Sequence, residues 1–535
     1  MMAFFIMKKN SFIALVLLSF LISFYNFDFE DWFFISEPDV IKSMTQDSFN
    51  IHFLADNGIY SYDIISEDFF YNISLSSNLL NEEIFLIHYH QAIDYFFIMS
   101  KNHLLYKSSV SSYWNEKRYS DFNISSINSI KRIGFSNDYI IIETKNTYKV
   151  IDFFSMVSSN YDNIDHIINI QWINNNIDDL DLSKFYTTDN SFIKDEYIQD
   201  EADVEHFVVS SMYDKYGNLW IGMSTGAIYK VDDFSYNINR LDVGPRVDYV
   251  SNIFNDGDGN WYFSDNYFRR TGKQLFNHNG YLLSIWHEND NTWTHIPKNE
   301  NIMINNIILN DIKRLDKFIL FTTFDGLIVY DIEFNAWYHN YDFLNINNRV
   351  LWDVVFDDNY IYFSSSFGLI ICDYLIIDGK LKIYKNEIIF DDSEIYDIKK
   401  TNNHIYFSSS KGIYKYNLEL NKMELIDSNI YYNIKVFESY ILASNKNLWY
   451  IDTFGRELIS NNINYFNVSS NGDRICATDF NEVKVIDFDS TDEWFLNLNQ
   501  LNINEPIYSI DCDDEWLWFS NSRGVSFFRW SNYER

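Results

Sequence analysis

Along most of this chain, hydrophobic and polar residues alternate in short runs of four to seven, broken by Asn, Asp, Ser and Gly. That period of two is the mark of strands with one buried face, and the breaks are turn chemistry. The stretch from Glu394 shows the unit in full. "EIYDIKK" alternates, "TNN" turns, and "HIYFSSS" runs back. A tight turn at Lys411–Gly412 leads into "IYKYNLE", and "KMELID" supplies a fourth strand. An almost identical phrase, "YIYFSSSFG", precedes it at Tyr360–Gly368. The serines lead into a hairpin whose glycine, Gly368 or Gly412, supplies turn geometry, so the pair reads as one strand of two successive units.

The same frame recurs at roughly 35 to 45-residue spacing. It is seen at Asn50–Asp63, Asp94–Lys107, Asp138–Asp152, Gly217–Asp232, Gly259–Phe268 and Lys317–Asp331. It returns at Ser439–Asp452, Asp473–Asp487 and Glu515–Phe528. With the two serine-rich copies this makes eleven recognisable units. Four short strands per unit of about 40 residues is the arithmetic of a β-propeller blade. The fold class expected is all-β, with about 11–12 four-stranded blades. Propellers usually hold four to eight blades, so two rings are expected, in series or with one inserted in the other.

The two ends of the chain bear on this choice. The last unit, Pro506–Trp530, has three strands and no fourth, whereas "DWFFIS" at Asp31–Ser36 is a strand without a blade. Fourth strands elsewhere carry a tryptophan (Trp293, Trp337, Trp494), and Trp32 fits that slot. The N-terminal strand is therefore expected to complete the C-terminal blade, which favours nesting and removes an open sheet edge. In this reading residues 31–152 are N-terminal blades and 153–206 an acidic connector or degenerate blade. Residues 207–535 are further blades, the last of them completing the N-terminal ring.

One unit is close to a known repeat. "DKYGNLWIGMSTGAIYKVD" at Asp214–Asp232 resembles the blade motif of two-component-regulator propellers, matching at Asp214, Gly217, Asn218, Leu219, Trp220, Ile221, Gly222 and Gly226. Gly326, Gly368, Gly412 and Gly524 fall at the equivalent hairpin of other units. Other units match more loosely, often with Asn or Asp where that family has Gly. The N-terminal units also resemble PorZ-type exported propellers of the type IX secretion system. The resemblance implies a fold, with these positions as structural repeat residues, and hardly any activity.

Composition narrows the partners. A formal charge of −35 repels phosphate backbones and anionic lipid, so nucleic acid is not expected, and membrane contact is expected only through an uncleaved N-terminus. Lys8 and Lys9 precede an apolar run from Phe12 to Phe24, the layout of a signal peptide or signal anchor over 1–27. Export to the periplasm, surface or medium follows. Cys372, Cys476 and Cys512 lack CxxC spacing and lie in strand-like runs, which reads as buried free thiols.

No stretch carries a specific catalytic signature. "HYH" (His88–His90) puts two imidazoles on one strand face without a recognisable third ligand. "NDGDGN" (Asn255–Asn260) alternates carboxylates but lacks the glycine and glutamate of an EF-hand, so a β-turn explains it better. "HENDNTWTH" keeps only Thr292 and Trp293 of a sialidase Asp-box. "KDEYIQDEADVE" (Lys194–Glu205) is a solvated linker or a site for a cation or basic partner, and "FRRTG" (Phe268–Gly272) is the one basic patch. Trp220, Trp261, Trp352 and Trp449 are assigned to packing between blades. No catalytic, metal or cofactor residue is assigned, and no cofactor is expected. The function expected is a non-catalytic exported binding or scaffold protein for a protein, peptide or glycan at the cell envelope, with a secretion accessory among the roles. The alternative is a propeller enzyme, a polysaccharide lyase or hydrolase, working in a ring's central depression.

Overall fold

A computed structural model describes residues 29–533 apart from positions 78, 80, 81, 146, 174–179, 188–190, 233, 248, 249, 265–279, 298–308, 335, 340–349, 471, 489–491, 497, 499–505, 522 and 523. Among the described residues the strands form eleven sheets, most of them four-stranded with neighbouring strands antiparallel. Each sheet is a blade, and in eight of them the four strands follow one another in the chain, as the alternating pattern requires. Several turns between strands hold the left-handed conformation on a polar residue: Asn291, Asp316, Asp378 and Asn421 have φ between 49° and 54°. Asn and Asp tolerate that region because their side chains bond locally, which is how the chain turns its hairpins with few glycines.

Seven blades close into a ring. Their innermost strands are Asn252–Asn255, Leu309–Leu315, Leu351–Phe356, Ile395–Lys400, Asn433–Val436, Tyr465–Val468 and Ser509–Cys512, called here ring blades one to seven. Each of the seven junctions between neighbours has its own apolar core. The fourth strand of ring blade seven is β1 (Trp32–Ile35), which pairs antiparallel with Gly524–Phe528, Trp32 opposite Phe528 and Ile35 opposite Val525. The N-terminal strand thus completes the C-terminal blade. Asp31 extends the clasp: its carbonyl accepts the Arg529 N–H, and its carboxylate accepts from Asn532 Nδ2 and Tyr533 Oη. The junction back to ring blade one is aromatic, with Trp261 edge-on to Trp518 and Phe527 at 5.3 Å each.

The other four blades lie between β1 and ring blade one in the chain, so they are inserted into the seven-bladed ring. Their inner strands are Ile41–Gln46, Ile84–His90, Ile130–Phe135 and Glu205–Tyr213, called arc blades one to four. Arc blade four packs on arc blade one through Trp220 and Phe53, one on two through Leu54 and Ile98, and two on three through Phe97 and Phe135. The stretch 153–206 holds edge strands of two of these blades. Ser158–Tyr161 and Gln171–Ile173 flank arc blade three, while Tyr186–Thr187, Phe192–Ile193 and Tyr197–Gln199 belong to arc blade four.

A buried ionic cluster sits where the two chain crossings between arc and ring meet. Arg240 reaches Asp200 at 3.1 Å and Glu37 at 3.0 Å, and Tyr281 Oη of ring blade one donates to the same Asp200 oxygen at 2.9 Å. Arg246 is paired with Asp242 and donates to Tyr281 Oη. Burial opposes charge on Glu37 and raises its pKa despite both arginines. Asp200 is instead held far below the carboxylate range: burial opposes this, but His206, Arg240 and backbone N–H groups outweigh it. Such a network adds directional constraints at the joint that apolar packing alone lacks.

Candidate functional site

The inner strands of the ring surround one polar cavity of about 510 Å³. Strand geometry decides what faces it. In ring blades two to seven the middle residue of the inner strand (Ile312, Val354, Ile398, Ile434, Phe466, Ile510) points into a junction core. Flanking residues such as Asp311 and Lys313, Asp397 and Lys399, and Asn433 and Lys435 then face the channel, because side chains alternate along a strand. A β-bulge in ring blades two, three and four, between Leu309 and Asp311, Leu351 and Asp353, and Ile395 and Asp397, sets the aspartates in this position. The wall carries Asp311, Lys313, Asp353, Asp397, Lys399, Lys435 and Asp511.

Much of this charge is committed to holding neighbouring blades together. Lys399 donates to Asp353 at 3.2 Å, to Asp397 and to the Ile398 carbonyl at 3.0 Å. Asp353 also accepts the Ile398 N–H of the next blade, and Asp397 accepts the Ile434 N–H of the blade after that at 2.7 Å. Asn252, Asn310 and Asn433 repeat the theme by donating to Leu309, Leu351 and Asn464 carbonyls one blade onward. Lys313 lies 3.2 Å from Asp311. Burial raises the Asp311 carboxyl, opposed by Lys313 and reinforced by Asp353. Burial acts the same way on Asp353, but Lys399 and the hydrogen bonds to the ionised form hold it well below the carboxylate range.

The repeat residues are structural where they are found. The Asp214 carboxylate accepts the N–H groups of Tyr216 and Asn218, the Asn218 amide and the Trp220 indole N–H. Gly217 and Gly226 have φ of 92° and 88°, and a Cβ on Gly226 would lie 1.7 Å from the Pro38 carbonyl oxygen. A Cβ on Gly222 would meet Ile41 at 2.4 Å. Gly326, Gly368, Gly412 and Gly524 have φ of 114°, 114°, 125° and 139° at their hairpins. None of these residues lines the channel. Trp32 is buried against Phe528, ring centroids 4.6 Å apart.

The remaining motifs resolve into packing and turns. His88 stacks on Phe135 at 4.0 Å, and burial followed by His90 lowers its pKa to about 3. Among the described residues no group of three or more His, Cys, Asp or Glu is arranged to hold a metal ion. "NDGDGN" repeats the Asp214 turn: Asp256 accepts the Asn260 N–H at 3.1 Å and its amide at 2.9 Å, and Arg314 of the next blade pairs with Asp256 and Asp258. Within "KDEYIQDEADVE", Asp200 is engaged in the internal cluster. Trp261 and Trp220 lie in junction cores, and Trp449 packs against one. "FRRTG" and the N-terminal apolar run lie outside the described residues. The channel charges were not singled out from sequence, although "DIK" at Asp311–Lys313 and Asp397–Lys399, with "NIK" at Asn433–Lys435, is a readable inner-strand signal.

Among the described residues, eleven blades, a closed ring of seven and a terminal strand that seals it define a β-propeller repeat protein. No known family profile and no curated protein sequence matches the chain. Among solved structures it is similar to an extracellular domain assigned to a hybrid two-component system of B. thetaiotaomicron, at 12% identity over 92% of this chain and 70% of that one, TM-score 0.43. It is also similar to PorZ, a surface component of the type IX secretion system of Porphyromonas gingivalis, at 9% identity over 93% of this chain and 87% of that one, TM-score 0.46. At these values the assignment of fold rests on the strand pairing of this chain itself.

Proposed function

We propose that the chain is a non-catalytic β-propeller binding and scaffold protein, exported to the cell envelope, where it engages a protein, peptide or glycan. The observation that carries this reading is the use of charge in the channel. Lys399, Asp353 and Asp397 are tied to one another and to backbone N–H groups of the following blades. Groups held this way reinforce a ring and are poorly placed to move protons to and from a substrate. Affinity capture with the full chain from its native envelope, followed by a glycan array, tests the reading. Retained envelope proteins or bound glycans support it, and turnover of any captured ligand overturns it.

One feature favours the enzymatic alternative. Asp311 and Asp353 are neighbouring carboxyls pushed in opposite directions, which is how acid and base roles are divided in hydrolytic sites. Glycan cleavage abolished by both Asp311→Asn and Asp353→Asn would establish it.

A further inference from the structure

The channel wall divides into two unlike sectors. On ring blades two to four the lysines are paired: Lys313 on Asp311, and Lys399 on both Asp353 and Asp397. The same cavity is also lined by Lys435 of ring blade five and Asp511 of ring blade seven, flanking ring blade six, which contributes Tyr465 and Phe466 and no charged residue. Among the described residues Lys435 Nζ has no hydrogen-bond acceptor and no carboxylate within 4.0 Å. Asp511 accepts a single bond, from the Cys512 N–H at 2.8 Å. Burial lowers the Lys435 pKa, only partly offset by Asp511, and burial raises Asp511, only partly offset by Lys435. Each charge is therefore under-compensated in a space that solvent-sized groups can enter.

The sign of a complementary ligand follows from having both. An anion would satisfy Lys435 and be repelled by Asp511, and a cation would do the reverse. A ligand carrying one carboxylate and one ammonium satisfies both and leaves the channel charge unchanged. We propose that the sector between Lys435 and Asp511 binds a small zwitterion, the chemistry of a free amino acid or short peptide, with its carboxylate on Lys435 and its ammonium on Asp511. Tyr465 lines the wall between. This deepens the binding-protein reading and rests on it.

Calorimetric titration of the full chain tests the inference. The probes are alanine, phenylalanine and dialanine as zwitterions, N-acetylalanine as the anion and alaninamide as the cation. At least one zwitterion is expected to saturate, the singly charged analogues to bind about tenfold more weakly or worse, and Lys435→Met and Asp511→Asn each to weaken the zwitterion about tenfold or more. Alanine against dialanine separates amino acid from peptide. Absence of saturable binding by any zwitterion, or equal binding by N-acetylalanine, overturns the inference. The analogue comparison needs no variant, so it stands even if a substitution impairs folding. Envelope capture without zwitterion binding would overturn this inference alone, whereas turnover of a probe would overturn the binding-protein reading.

A second, independent observation concerns two thiols. Cys476 Sγ and Cys512 Sγ are buried and 2.9 Å apart, on ring blades six and seven. We infer that they join as a disulfide in the exported protein. Each thiol gives up a proton, one S–S bond forms, and the electron pair reduces a disulfide of an oxidising compartment to two thiols. The bond would tie together the last two blades of the ring, of which the seventh is sealed by β1. The test is alkylation with iodoacetamide under denaturing conditions, without reductant, of protein isolated from its own envelope. Labelling at Cys372 alone is expected, and labelling at all three cysteines overturns the inference.

Discussion

Ring closure by the N-terminal strand makes a quantitative prediction about Trp32. Its side chain is 7% exposed and packs in the junction between ring blades six and seven, against Phe528 and edge-on to Phe519 at 6.3 Å. Trp32→Ala removes that ring from a close-packed core and leaves a cavity that the flanking strands fill only in part. Such changes cost about 3–5 kcal/mol. Phe33, the next residue, faces outward at 42% exposure and makes only peripheral ring contacts with Trp286 and Phe527. Phe33→Ala should cost about 1 kcal/mol. Urea unfolding followed by far-UV circular dichroism measures both, with the slope expected to stay constant while the midpoint falls. Trp32→Phe, which keeps a ring in the slot, should fall between the two. Equal costs for the two alanine variants, or less than about 1 kcal/mol for Trp32→Ala, would refute the assignment of β1 as the sealing strand.

Other predictions follow from the turns and from the joint between arc and ring. Asp214→Ala strands the indole N–H of buried Trp220 and three further donors, and should cost about 2–4 kcal/mol in the same assay; a loss below about 1 kcal/mol would contradict the turn-cap role. Gly226→Ala drives a Cβ into the Pro38 carbonyl and should prevent native folding of arc blade four, whereas Gly257→Ala, with φ 80° but nothing within 4 Å, should cost only about 1–2 kcal/mol of backbone strain. Similar expression and melting of the two variants would argue against the close approach. His295 is buried, and burial followed by Arg246 pushes its pKa down from 6.5 to about 4. The unfolded imidazole then takes up its proton before the folded one. Stability present above pH 6.5 is lost as pH falls toward 4, by about 3 kcal/mol in all. Chemical denaturation at a series of pH values should show this slope and its reduction in His295→Gln; an unchanged slope in the variant would remove His295 as its source.

Much of the fold is legible in the chain because a blade is a local object. Hairpins between adjacent runs decide its strands, so period-two alternation and turn residues are enough to count eleven units. Even the closing strand is readable, since an unpaired three-stranded unit at one end and a lone strand at the other leave one economical pairing. The location of the charged channel was written less plainly. Asp311, Asp353 and Asp397 look like ordinary solvent-facing positions of alternating strands, in a chain with 76 acidic residues. Only ring closure turns that face inward, and the bulges that help to aim it are irregularities of pairing that the alternation does not reveal. The same holds for Lys435 and Asp511, which belong to strands far apart in the chain. Their shared cavity exists because seven blades meet around one axis, and such non-local closure leaves no periodic trace in sequence. Which blades form the ring was likewise decided by junction packing, such as Trp261 against Trp518, between residues some 250 positions apart in the chain. The sequence by itself determined the blade and its number; the tertiary structure decided which blades meet and which side chains face one another across the channel.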